Sequence, residues 1–205
     1  MTGSDALVGV RSRLLAAARV EFAAHGMGGA RVARIAEQAG VSKERIYGHF
    51  GNKEKLFEAV VSETLREHAE LLGPPSGDLG EYAGRIHDLH QRNPELLRLM
   101  MWEALHFGTA ALPAARERTA RYQEMVGVLA DALGPWADGR AAGTLLALLG
   151  IAILPSAFPQ ITGLILGTEP GGEGGMRGEE LRAGIVDLAR RMTGTGAAGT
   201  DLAPA

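Results

Sequence analysis

Cysteine is absent from the 205 residues, which excludes disulfide frameworks, thiolate zinc sites and cysteine nucleophiles. Lysine is scarce: only Lys43, Lys53 and Lys55 occur, and the other eighteen of the 21 basic residues are arginine. A charged and apolar secretory start is missing, so a cytoplasmic protein is expected. No internal repeat and no alternating strand pattern is visible, which predicts an all-α fold. Phosphate-loop and dinucleotide patterns are also lacking, as is any set of nucleophile, base and orienting group. Neither an enzyme nor a cofactor is expected.

What charge there is lies unevenly. Residues 1–57 hold nine Lys or Arg against five Asp or Glu, a balance of +4, so with a total of -3 the remainder carries -7. A basic head on an acidic body suits a chain in which only the head meets phosphate, because charge neutralisation and counterion release supply most non-specific DNA affinity.

Val10, Leu14, Ala18 and Phe22 recur every four residues and predict a helix over 8–25, ended by Gly26. Further helices are expected over 31–39, 43–49 and 53–72, the last capped by Asn52. After the break Gly73-Pro74-Pro75-Ser76-Gly77, the pattern predicts helices over 79–92, from Asn93-Pro94 through Phe107, over 113–133 and over 180–192. Residues 141–167 carry no charge, and Pro155 is expected to divide them into pieces 140–154 and 156–166. Such a pair must be buried in a core or against a second copy of the chain. Residues 167–178 and the tail from Thr193 are expected to lack order. The domain reading is a DNA-binding domain over 8–57, a helical body over 58–193 and a disordered tail over 194–205.

Residues 36–56 are the most informative stretch. Ile35 and Ala36 face inward on one helix, Gly40 supplies a turn requiring positive φ, and Ser42 caps the next helix. From Ser42, Ile46 and Phe50 fall one turn apart on a buried stripe. Glu44 and Gly48 then face away, with Lys43, Arg45, Tyr47 and His49 on the flanks. The pattern is that of a helix-turn-helix offering a polar face to a groove.

Phe22, Gly26, Ile35-Ala36, Ala39-Gly40-Val41-Ser42, Tyr47, His49-Phe50 and Lys53-Glu54-Lys55-Leu56 together resemble the TetR family of bacterial transcriptional repressors over about residues 10–60. The resemblance implies a head of three helices joined through a long fourth helix to a ligand-binding and dimerisation body. It also implies a homodimer on a palindromic DNA operator, released when a small apolar or amphipathic effector shifts the fourth helix, residues 53–72, and changes the spacing of the two heads. Within the head, Tyr47, His49 and Lys53 are expected to hold the DNA backbone. Lys43, Glu44, Arg45 and Gly48 are expected to face the bases. For Glu44, stabilisation of the helix dipole by a first-turn carboxylate is the equal alternative. The family usually opens its second helix with Ser or Thr, whereas this chain has Ala30-Arg31. The cap is therefore missing or supplied by Gly29, and Arg31 is expected to replace the hydroxyl contact with a charged one.

The body offers His87, His90, Met101, Trp102, His106 and Phe107 as candidates for an effector pocket, mixing soft, aromatic and polar surface. The three histidines would also be conceivable metal ligands, but no carboxylate or cysteine completes a set, so no metal is expected. Two rival readings remain: a membrane-anchored regulator using residues 141–167 as a span, and a helical enzyme or carrier with a vestigial head.

Overall fold

The computed structural model describes residues 3–134, 139–167 and 178–194. Among them every regular element is a helix: α1 (Gly3–Gly29), α2 (Val32–Ala39), α3 (Lys43–Phe50), α4 (Lys53–Leu72), α5 (Leu79–Arg92), α6 (Pro94–Phe107), α7 (Ala115–Leu133), α8 (Arg140–Ala157), α9 (Pro159–Leu166) and α10 (Gly178–Thr193). They form two compact units, one of residues 1–71 and 93–115, the other of residues 72–92 and 116–205. Helix α6 packs on α1 within the first unit.

The first unit is built on α1. Val10, Leu14, Ala18 and Phe22 are all buried and share one cluster with Ile35 of α2, Ile46 of α3, Phe57 of α4 and Leu99 of α6. Phe22 meets Phe57 edge to face at 5.1 Å, a geometry that adds ring electrostatics to apolar burial. Gly26 ends the regular part of α1 as expected, with φ 63 and ψ -176, but one more turn follows to Gly29, so it makes a kink rather than a terminus. Two constraints hold glycine there. Its φ is positive, and a Cβ would lie 2.6 Å from the Trp102 ring, whose Nε1 donates to the Ala23 carbonyl at 3.4 Å.

In the second unit α5 packs on both α8 and α10. Leu79, Tyr82, Ala83 and Ile86 bury one stripe of α5 against Leu145 and Leu148 of α8 and Ile185 and Ala189 of α10. Asp78 caps α5, its Oδ1 accepting from Gly80 N at 2.8 Å. Its Oδ2 receives Arg190 Nη2 at 2.5 Å, while Arg182 donates to Asp88 at 3.0 and 3.1 Å and to Glu81 at 3.2 Å. These arginines cross glycines: a Cβ on Gly80 would lie 2.6 Å from both Arg190 Cγ and the Val186 carbonyl, and one on Gly84 2.9 Å from Arg182.

The expected break at Pro155 is corrected. Pro155 lies buried inside α8, and the chain breaks at Phe158, with φ -130 and ψ 64, immediately before Pro159. Both prolines disfavour helix in the preceding residue. Pro155, buried in the core, stays helical despite that preference and its missing amide donor. Helix α7 starts at Ala115 rather than 113, after Ala114 at φ 52. Thr193 is helical rather than part of the tail, its Oγ1 donating to Ala189 O at 2.8 Å. Residues 168–177 and 195–205, expected to lack order, lie outside the described residues.

Charge-free residues 141–167 are only half inside. Ala141, Leu145, Leu148, Ala152 and Pro155 face the core. Leu146 and Leu164 stand 72% and 84% exposed, and Leu154, Phe158, Ile161 and Ile165 are exposed as well. Of the two alternatives for this pair, core burial accounts for one stripe alone.

Gly80→Ala is expected to destabilise the protein by about 1–3 kcal/mol, because the Val186 backbone must move to admit the methyl. Gly127→Ala, where a Cβ would meet nothing within 4 Å, should stabilise it by up to about 1 kcal/mol. Urea unfolding of both variants checks the pair.

Candidate nucleic-acid interface

Helix α2 stops because Gly40 adopts the left-handed conformation, φ 66 and ψ 40. The Gly40 amide bonds the Glu37 carbonyl at 3.1 Å and the Val41 amide reaches back to Ala36 at 3.0 Å. This double closure satisfies the last carbonyls and fixes the angle at which α3 leaves. Ser42 then caps α3, its Oγ accepting from Arg45 N at 3.3 Å.

Of the eight residues of α3 only Ile46 is buried and Phe50 half-buried, beneath the Arg11 guanidinium at 6.0 Å. Lys43, Glu44, Arg45, Tyr47, Gly48 and His49 are all exposed on one short helix. A Cβ on Gly48 would meet nothing within 4 Å, so nothing within the chain requires glycine at that helical position. Glu44 has an occupation of its own. Hydrogen bonds from its own amide and from the Ser42 hydroxyl hold its carboxyl below the usual range, in the first turn of α3.

The start of α2 resolves the question of its cap. Arg31, not Gly29, is the N-cap residue, with an extended backbone and no side-chain cap bond. Its amide is received instead by Glu21 of α1, at 2.7 Å. Glu21 is 3% exposed and also takes the Arg34 guanidinium, Nε at 2.9 Å to each oxygen and Nη2 at 2.5 Å. His25 Nε2 stands 3.8 Å away. In a capping box the carboxylate at the third helical position bonds the cap amide. Here Arg34 occupies that position and borrows the carboxylate from α1. The sequence reading missed Glu21 and Arg34, and the only signal was the absent hydroxyl at residue 31.

Helix α4 begins as expected: Asn52 Oδ1 accepts from Lys55 N at 2.8 Å. Lys53, half-buried, is its first residue, where unpaired amides already favour an anion. Glu54 beside it meets His106 Nε2 of α6 at 3.4 Å.

The six pocket candidates fall in different units. His87 and His90 are buried in the second unit, where His87 Nδ1 lies 3.2 Å from the Ala152 carbonyl and His90 Nδ1 2.9 Å from the Ile86 carbonyl. Met101, Trp102, His106 and Phe107 belong to the first. There Trp102 is engaged with α1, His106 touches the Phe57 and Phe107 rings, and Met101 is exposed. Among the described residues no group of three or more His, Cys, Asp or Glu could hold a metal ion.

Residues 14–60 match the profile of bacterial regulatory proteins of the tetR family, and residues 78–191 that of a tetracyclin repressor-like C-terminal domain. The HTH-type transcriptional repressor SCO4008 of Streptomyces coelicolor is 37% identical over 185 residues, 89% of this chain and 94% of that protein. The HTH-type transcriptional repressor NicS of Pseudomonas putida is 34% identical over 126 residues, 58% and 59% of the two chains. Among solved structures, SCO4942 of Streptomyces coelicolor aligns with a TM-score of 0.69 at 28% identity, covering 89% of this chain and 97% of that one. A TetR-like transcriptional regulator from Rhodococcus aligns at 0.60 and 18% identity, covering 90% and 96%, a likeness of fold.

The Arg34 hydrogen bonds keep the Glu21 carboxyl below its ordinary value of 4.5, against the upward pull of burial. A depressed folded-state value stabilises the folded chain fully above the unfolded value and loses that contribution as pH falls below it. Glu21→Gln should therefore be less stable than the parent at pH 7, and the gap should close as pH drops below about 4.5. Urea unfolding at a series of pH values measures the gap; a constant difference would contradict it.

Proposed function

Because this chain belongs to the TetR family of bacterial regulatory proteins, we propose that it is a cytoplasmic, homodimeric repressor that binds a palindromic operator and is released by a small apolar or amphipathic effector. The observation that carries the reading is the outward face of α3, where Lys43, Arg45, Tyr47, Gly48 and His49 stand exposed and none of the five forms an ion pair among the described residues. Arg45 and Lys43 suit guanine O6 and N7 in a major groove. The bare Gly48 lets the helix backbone come close to the bases. Lys53 at the α4 N-terminus, with Tyr47, His49 and Arg31, suits phosphate and sets the register without reading sequence. Glu44, bonded to Ser42, serves chiefly to stabilise the first turn and can accept from cytosine N4 only by leaving it.

The exposed apolar strip along α8 and α9 supports pairing with a second copy. Leu146, Leu154, Phe158, Ile161, Leu164 and Ile165 stand exposed in this charge-free run, and twofold pairing would bury the same side chains on both chains. Helix α8 is the one described helix long and apolar enough to cross a membrane, and this reading gives its outer face to the partner copy instead of lipid. His87 and His90, both buried in the second unit, are the pocket candidates retained for the effector. Helix α4 runs unbroken from Lys53 to Leu72, where the second unit begins, so it is the covalent lever by which a change in the body reaches the head.

Footprinting on DNA flanking the gene tests the function directly: protection at moderate salt is expected, and its absence would reject the repressor reading. Lys53→Ala should weaken all duplexes alike and flatten the salt dependence, whereas Arg45→Ala should relax preference at one base pair by about 1–3 kcal/mol. Equal losses on operator and random DNA for both variants would contradict this division. Leu146→Asp with Leu164→Asp should turn a detergent-free dimer into a monomer by sedimentation, and a parent protein already monomeric would refute the pairing face.

A further inference from the structure

The two arginines in the first turns of α2 have the same composition and opposite circumstances. Arg34 spends its guanidinium on Glu21, accepted by both carboxylate oxygens, and gives a further bond to the Gly29 carbonyl at 3.3 Å. Arg31, three residues earlier, is exposed and gives only its backbone amide to Glu21. Its guanidinium makes no hydrogen bond or ion pair among the described residues. One buried carboxylate thus receives the amide of one arginine and the whole charge of the other. The carboxylate and Arg34 are together neutral, which removes a positive charge from the start of α2.

Resting on the DNA-binding reading above, we propose that Glu21 is a positioning residue of the nucleic-acid interface: it silences Arg34 towards phosphate and fixes the Arg31 backbone so that Arg31 alone delivers charge from the start of α2. The physical reason is selectivity of contact. A second mobile guanidinium there would add affinity for any phosphate in any register, because such contacts carry no sequence information. A planar guanidinium held in a bidentate carboxylate pair has its charge compensated and the donors of Nε and Nη2 committed. The same carboxylate substitutes for the missing hydroxyl cap, so a single side chain both starts α2 and sets how many of its charges the DNA can use.

The test is the salt dependence of duplex binding, since each phosphate contact contributes a slope of about 0.9 in log K against log salt. Four full-length proteins are compared with the parent on an operator fragment and on random DNA of the same length, with folding followed by circular dichroism. Arg31→Gln is expected to lower the slope by about one contact, while Arg34→Gln is expected to leave it unchanged. Glu21→Gln, which keeps an oxygen for the Arg31 amide but frees Arg34, is expected to raise the slope by about one contact, worth about threefold in affinity between 50 and 200 mM salt. It should also narrow the preference for operator over random DNA. The double variant Glu21→Gln with Arg34→Gln restores a neutral, hydrogen-bonded pair and should return the slope to that of the parent.

A purely structural role for Glu21 would instead lower affinity in proportion to lost folded protein, with no change of slope, and that result overturns the proposal. So does an unchanged slope in Arg31→Gln, whose side chain is outside the buried pair and whose substitution leaves the fold intact. If the parent itself binds no duplex, the DNA-binding reading fails; if the parent binds and the slopes do not follow this order, only the role of Glu21 fails.

Discussion

Everything in the head depends on one buried stripe. Val10, Leu14, Ala18 and Phe22 of α1 supply the surface onto which the helix-turn-helix, α4 and α6 each place an apolar side chain. Helices of eight residues such as α2 and α3 are too short to persist alone in water, and α3 has a single buried residue to contribute. The geometry of the exposed face is therefore inherited from α1, through Ile35 and Ile46 packing beneath it and the Gly40 closure between them. Polar side chains can be arranged freely for recognition on α3 because none of them is needed to hold the helix down.

The same helix supplies the electrostatic arrangement. Burying a carboxylate is costly unless it is paired and hydrogen-bonded, and Glu21 satisfies both conditions with Arg34 and the Arg31 amide. A charge pattern that reads in the chain as simply basic is thus partly cancelled in the folded head, at Arg34. The second unit follows a parallel logic. Arg182 and Arg190 of α10 lie across Gly80 and Gly84 of α5 and end on Asp78, Glu81 and Asp88, so close backbone approach and ion pairing are one device.

Much of the head was legible because its signals are local. The four-residue recurrence on α1, Gly40 at the turn, Ser42 and Asn52 as caps and the exposed residues of α3 each depend on neighbours within one or two turns. Glu21 was not legible, because its partners lie ten and thirteen residues away on another helix. In the body, helix limits were readable where Asn93-Pro94 or Gly73 to Gly77 punctuate the chain. The placement of the break at Phe158 was not, since Pro155 and Pro159 carry the same steric rule and only packing separates them. Trp102 read as core or pocket; its seat on Gly26 depends on a contact across 76 residues.

By itself, the sequence determined the helical class, the helix-turn-helix with its polar face, the net positive balance of residues 1–57 against an acidic remainder and the uncharged run at 141–167. These are properties of periodicity, capping chemistry and composition, which need no partner to be expressed. Tertiary structure alone decided that α6 belongs with α1, that Glu21 neutralises Arg34 while leaving Arg31 outward, and that one stripe of α8 enters the core while the opposite stripe and α9 remain bare. Those outcomes turn on which distant side chains meet, and pairing energies between distant groups are invisible to any local pattern.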